Sequence, residues 1–174
     1  MAAGRNHSVL HGVIQLRPFR KADFGELHRI DTVCFTPGIA YSQAELRYYL
    51  HHPGSFTVVA ETAEETIAGF CTGQVQMREG KPFGHIITID VLPQWRRQEL
   101  GRSLLRSVEN GFQARSAELV RLEVAVDNLE ALGFYRAMGY VGIGKIRGYY
   151  GGKLDAFVME KDLTGDALRP QQHS

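Results

Sequence analysis

Three arginines, Arg96, Arg97 and Arg102, crowd the point where residues 89–92, apolar except for Asp90, give way through residues 93–99 to a stretch with Leu100, Leu104, Leu105, Val108 and Phe112 at helical spacing. This pattern spells a buried strand, a basic turn and an amphipathic helix. Unpaired N–H groups in a first helical turn point outward and carry the positive end of the helix dipole. A diphosphate can accept several hydrogen bonds from them, and the guanidinium groups add charge-assisted ones. An ordinary strand-to-helix turn with a solvated basic surface accounts for the arginines equally well.

The elements that position this junction follow from periodicity. Residues 13–19 alternate as a β-branched strand, and residues 21–34 carry Phe24, Leu27 and Ile30 near helical spacing. Thr36, Pro37 and Gly38 break that helix, and Ser42 with Glu45 forms a capping box opening a second one with Leu46, Tyr49 and Leu50. Strands are expected at 55–61, 66–77 and 85–92, a helix over 100–112, a strand at 119–124, a helix over 128–138, and strands at 140–147 and 156–161. This order predicts one α+β domain over residues 13–163, with frayed ends at 1–12 and 164–174.

Composition bounds the function. The chain has 174 residues, enough for one substantial core, and its 20 basic and 19 acidic residues nearly cancel. No global field points to nucleic acid or an anionic membrane. No apolar run reaches transmembrane length and the N-terminus does not read as a signal peptide, so a soluble cytoplasmic protein is expected. Cys34 and Cys71 read as reduced packing residues, and the seven histidines match no zinc spacing, so no metal is expected. His51 and His52 end the second helix, and His85 reads as the start of a strand.

Residues 89–105 resemble the acetyl-CoA signature of the GNAT superfamily of N-acetyltransferases: a valine and proline, then Arg/Gln-x-x-Gly-x-Gly/Ala. Val91, Pro93, Trp95, Arg96, Gly101, Leu104 and Leu105 fall in register. Glu99 stands where the family usually has its first glycine; a glutamate in a helix's first turn is favourable and can face solvent or an arginine. Residues 122–140 resemble the family's second motif, a strand ending Leu-Glu-Val, an asparagine opening a helix, then Phe-Tyr-x-x-x-Gly-Tyr.

The resemblance implies the GNAT fold, a mixed sheet of about seven strands flanked by about four helices, and direct transfer from acetyl-CoA to an amine, releasing CoA. It implies a cofactor site of Val91, Arg96, Arg97, Gln98, Glu99, Leu100, Gly101, Arg102, Ser103, Asn128 and Tyr135. Val91 would pair its backbone with the pantetheine, and Asn128 would cap its helix. An amine must be neutral to attack a thioester, and model amine pKa values of about 8 for an α-amino group and 10.4 for lysine require a base. Glu123 fills that role directly or through one water, and Tyr135 resembles the family tyrosine that protonates the departing thiolate. Asp90 is the rival base, or a receiver of the substrate ammonium.

Two further stretches bear on the acceptor. Residues 34–42, with Phe35, Pro37 and Tyr41, and residues 147–159, with Tyr149 and Tyr150, resemble the two loops that enclose the incoming N-terminus in protein N-terminal acetyltransferases. Glu123 and Tyr135 share the twelve-residue interval of bacterial ribosomal-protein-alanine acetyltransferases. A peptide N-terminus is the expected partner, on a monomer or weak homodimer. The two tyrosines can equally pack the hairpin or a dimer interface. Small-molecule or lysine acetylation on the same scaffold, and a non-catalytic acyl-CoA-binding regulator, are the rival readings.

Overall fold

A computed structural model describes residues 13–165. Seven strands form one sheet in the order β1-β2-β3-β4-β5-β7-β6. They are β1 Gln15–Pro18, β2 Ser55–Glu61, β3 Ile67–Arg78, β4 Lys81–Val91, β5 Leu119–Ala125, β6 Val141–Tyr150 and β7 Leu154–Asp162. Helices α1 Phe24–Cys34 and α2 Gln43–His51 cover one face, and α3 Leu100–Gln113 and α4 Leu129–Ala137 the other. All neighbours are antiparallel except β4 and β5, which run parallel. The expected order of elements and α+β layering are present. The expected frayed ends lie outside the described residues, apart from Thr164 and Gly165; the Thr164 N–H donates to Asp162 Oδ1.

Local chemistry explains the element ends. The Ser42 side chain accepts from the Glu45 N–H while Glu45 accepts from the Ser42 N–H, which starts α2 as the capping box requires. Residues 21–23 form a 3-10 turn instead of the first turn of α1. Glu79 and Gly80 both take positive φ, 50° and 76°, and make a two-residue turn. β4 therefore begins at Lys81, four residues before the strand read from the sequence.

One irregularity in β4 organises the molecule. Thr72 pairs with Thr88 but Gly73 pairs with Ile86, leaving Ile87 as an extra, bulged residue. Before it, Gly84 and Ile86 face α3. After it, side-chain parity reverses, and Thr88 and Asp90 face α1, as does Phe70, the partner of Asp90 and a member of the α1/α2 core. On the α3 side, a Cβ at either Gly73 or Gly84 would meet the Phe112 ring at 2.5 Å. Phe112 therefore lies directly on the sheet backbone.

Candidate active site

β4 and β5 pair only at Gly84↔Val120 and His85↔Arg121, although each runs on for several residues. The sheet opens there into a V walled by residues 86–91 and 122–125. Alternation assigns the faces. Val120, Leu122 and Val124 enter the α3/α4 core, so Arg121 and Glu123 point toward α1 and α2. Tyr135, on α4, belongs to the α3/α4 core and lies within electrostatic reach of Cys71, Asp90 and Tyr150. Glu123 and Tyr135 thus approach the opening from opposite faces of the sheet. The Asn128 side chain accepts from the Ala131 N–H and caps α4, as expected.

Glu123 is held on both oxygens. Its Oε2 lies 2.5 Å from His85 Nε2, and its Oε1 3.3 Å from Arg121 Nε. Burial pushes the carboxyl up, but the His85 hydrogen bond and the nearby Arg121 guanidinium outweigh it, leaving Glu123 below the ordinary glutamate range. Burial is also the main cause that raises Tyr135, with Cys71, Asp90 and Tyr150 adding to it, so the phenol keeps its proton at neutral pH.

At the head of α3 the expected residues gather, with two departures. Glu99 is the N-cap and has φ +65°, a left-handed conformation outside the first helical turn where the sequence placed it. Glycine adopts that conformation freely and other residues do so at a cost, which gives a backbone reason for the family's usual glycine. The Glu99 side chain is largely exposed and pairs with Arg102 Nε at 2.7 Å. Arg96 Nε donates to the Val91 carbonyl at 2.8 Å, so the backbone group expected to meet the pantetheine carries the arginine expected at the diphosphate. Cys34 Sγ also donates to that carbonyl, at 3.4 Å.

Arg97 has φ +59° and is exposed, as are Gln98 and Ser103, while Leu100 is buried in the core. A Cβ on Gly101 would meet only ordinary contacts, Phe134 at 3.6 Å and Val91 at 3.9 Å. Packing within the protein therefore does not demand glycine at 101. The arginines, the N–H groups of α3 and this bare helix face fit a diphosphate and pantetheine.

Tyr41, Tyr149 and Tyr150 come within electrostatic reach of one another and of Tyr49 of α2, a residue whose helical spacing alone points to packing. The Tyr41 and Tyr49 rings are 5.3 Å apart and those of Tyr149 and Tyr150 4.9 Å. Burial raises Tyr49, Tyr149 and Tyr150, and the Glu123 charge raises each further. Tyr149 and Tyr150 end β6 and do not lie on a loop. The Tyr41 hydroxyl donates to the carbonyl of the bulged Ile87, and Phe35 is half-buried while Pro37 is exposed.

Asp90 lies deeper than its expected roles require. It is fully buried, its Oδ1 accepts from Thr88, and its Oδ2 has no partner. Asp31 of α1 is equally enclosed; its Oδ2 accepts from the Tyr41 N–H and its Oδ1 has no partner. Burial pushes Asp31 up to about 6, and pushes Asp90 well up, with Asp31 adding to the effect. His85, expected only to begin a strand, stands mid-strand against Glu123. Its parity with Glu123 becomes visible only once β4 is known to border β5. Among the described residues no group of three or more His, Cys, Asp and Glu side chains gathers as a metal site would require, and no helix is long and apolar enough to cross a membrane.

Residues 12–140 match the acetyltransferase (GNAT) family, and the chain belongs to it. It is an N-acetyltransferase that takes acetyl-CoA as donor. The chain is 31% identical over 127 residues to naa20, the catalytic subunit of the N-terminal acetyltransferase B complex of Schizosaccharomyces pombe, covering 70% of this chain and 71% of that protein. Chaetomium thermophilum Naa20, solved with a bisubstrate analogue, superposes with a TM-score of 0.75 at 27% identity, covering 92% of each chain. The ribosomal-protein-S18-alanine N-acetyltransferase of Escherichia coli shares the fold, with a TM-score of 0.73 at 19% identity over 93% of this chain and 99% of that one.

Proposed function

We propose that this enzyme acetylates the α-amino group of protein N-termini by direct transfer, with Glu123 as base and Tyr135 as acid. The observation that carries the reading is the arrangement of those two side chains on opposite faces of the sheet at the gap between β4 and β5. An acceptor entering from the α1/α2 side meets Glu123 and the tyrosines, while the donor thiol belongs to the α3/α4 side beside Tyr135.

Acetyl-CoA supplies an acetyl thioester. Glu123 accepts a proton from the ammonium, the free amine forms the new N–C bond as the C–S bond breaks, Tyr135 gives its proton to the leaving thiolate, and the second proton shed by the amine nitrogen as it becomes an amide restores the phenol. A carboxylate kept ionised by His85 and Arg121, and a phenol kept protonated by burial, hold the protonation states this requires. Asp90 suits the base role less well, because it is enclosed and burial pushes its carboxyl well above the ordinary aspartate range. The relatives named for N-terminal acetylation support a peptide acceptor, as does the paired wall of Tyr41 and Tyr49 against Tyr149 and Tyr150. An α-amine is followed at once by a side chain and a peptide bond, so its site needs hydrogen-bonding walls on both sides.

Peptides with free and blocked N-termini, offered with labelled acetyl-CoA, test this reading. Acetylation confined to the free N-termini and dependent on the first one or two residues is expected. Efficient turnover of blocked lysine-bearing peptides or of polyamines, with none of free N-termini, would overturn it.

A further inference from the structure

On the α1/α2 face of the sheet, a row of polar side chains crosses four strands and ends at the candidate base. Ser55 of β2 pairs in register with Gln74 of β3, Gln74 with His85 of β4, and His85 with Arg121 of β5, two residues before Glu123. Gln74 Nε2 donates to Ser55 Oγ at 3.4 Å, and Gln76 Nε2 donates to Gln74 Oε1 at 2.7 Å. The same Gln76 nitrogen lies 3.1 Å from His85 Nδ1. On the other side of the imidazole, Nε2 lies 2.5 Å from Glu123 Oε2.

An amide nitrogen only donates, so the Gln76 contact requires a lone pair on His85 Nδ1. The ring proton then resides on Nε2 and is given to Glu123. A histidine in that tautomer cannot take a proton from Glu123 through Nε2, since that site is filled. We infer that Gln76 is a positioning residue that fixes the His85 tautomer, making His85 a neutral hydrogen-bond donor to Glu123 and leaving the proton taken from the amine on Glu123 alone. The inference rests on the base role proposed for Glu123. Gln74 Oε1 accepts the other hydrogen of the Gln76 amide, so the two carboxamides share one orientation. The other charged or titratable groups facing Glu123 are Arg121 of β5, Tyr49 of α2, and Tyr149 and Tyr150 of β6.

The tautomer can be read without turnover. In intact protein labelled with ¹⁵N-histidine, the His85 signals, assigned by their loss in His85→Gln, should show a protonated Nε2 and an unprotonated Nδ1 at neutral pH. Gln76→Glu replaces the donor with an acceptor of the same shape, and both ring nitrogens should then carry protons. The imidazolium would further stabilise the Glu123 carboxylate, so the acid limb of the kcat/KM profile should move to lower pH and the plateau kcat should fall. Gln76→Met removes the hydrogen bond and should lower kcat by about two- to tenfold, the worth of one orienting bond, with acetyl-CoA Kd and peptide KM unchanged. Protonation of Nδ1 in the wild-type protein, or a Gln76→Glu variant with the wild-type His85 spectrum and acid limb, would overturn the inference. Full kcat in Glu123→Gln would instead overturn the base assignment, a result distinguishable because the tautomer is measured independently.

Discussion

Replacing Glu99 with glycine separates two effects that coincide at the head of α3. Glu99 has φ +65°, where an L-residue carries a backbone cost of about 1–2 kcal/mol that glycine does not. The substitution also removes the ion pair with Arg102. That pair is solvent-exposed, with side-chain exposures of 37% and 74%, and exposed pairs contribute about 0–1 kcal/mol. The net stabilisation therefore lies between about 0 and 2 kcal/mol and centres on about 1 kcal/mol, which is a rise in Tm of roughly 2–4 °C for a domain of this size. For the donor, a carboxylate about 4 Å from a diphosphate oxygen would oppose binding by about 1 kcal/mol in water and about 4 kcal/mol at an effective dielectric of 20. A side chain this exposed and already paired belongs at the lower end, so acetyl-CoA affinity should improve by less than about tenfold. Glu99→Gln, which removes the charge and keeps the left-handed backbone, should raise affinity similarly without raising Tm. Thermal melting and calorimetry on the three proteins decide the matter. An unchanged or lower Tm in the glycine variant would refute the strain argument, and an affinity gain far above tenfold would show that the carboxylate faces the anion.

Gly101→Ala should leave the fold intact and add up to about 1 kcal/mol of helix stability, while weakening acetyl-CoA binding, because the protein leaves room for the methyl group and only a ligand would contest it; calorimetry showing unchanged affinity would refute this. Tyr135→Phe and Glu123→Gln should each lower kcat by about 10²- to 10⁴-fold with acetyl-CoA Kd nearly unchanged, and near-normal kcat at saturating substrates across the neutral range would remove the assigned roles. Burial raises Asp31 from the ordinary aspartate value of about 3.8 to about 6 on folding. Its contribution to stability is thus full below about pH 4 and is lost as pH rises through about 6, a difference of about 3 kcal/mol by linkage. Asp31→Asn, which keeps an acceptor for the Tyr41 N–H, should flatten that part of the denaturation profile, and an unchanged slope would refute the assignment.

The sequence displayed most of the chain's architecture, because its signals were local. The Ser42–Glu45 capping box, the apolar stripe Leu100–Leu104–Leu105–Val108–Phe112 and the Asn128 cap depend on residues a few positions apart, and each element appears where that spacing places it. The missed features depend on registers between distant segments. Nothing near Ile87 announces the bulge, since buried and half-buried residues alternate through it while their faces exchange. Asp90 consequently turns to Asp31 in a buried pair that no spacing reveals. His85 acquires its partners from β5 and β3, and Tyr49 of α2 comes within electrostatic reach of Tyr149 of β6 only through the tertiary fold. Glu99 departs from expectation for a different reason: its residue type suits a first helical turn, whereas the chain there bends left-handed.

The contact between Phe112 and the bare backbone at Gly73 and Gly84 has a mechanical meaning for the other end of α3. A β-carbon at either glycine would overlap the ring by about 1 Å against ordinary contact distances and would force the helix away from the sheet. Phe112 lies twelve residues from Leu100, about 18 Å along the axis, so a shift at the ring acts as a lever on the arginine-bearing turn. The donor side of the gap is thereby braced by main chain, which side-chain substitutions alter only coarsely. The opposite side is framed by the side chains of Tyr41, Tyr49, Tyr149 and Tyr150, which meet ring to ring and not through a contact of ring on backbone. Acceptor preference can therefore diverge among such enzymes by exchanging those side chains, while the geometry that presents the thioester stays fixed.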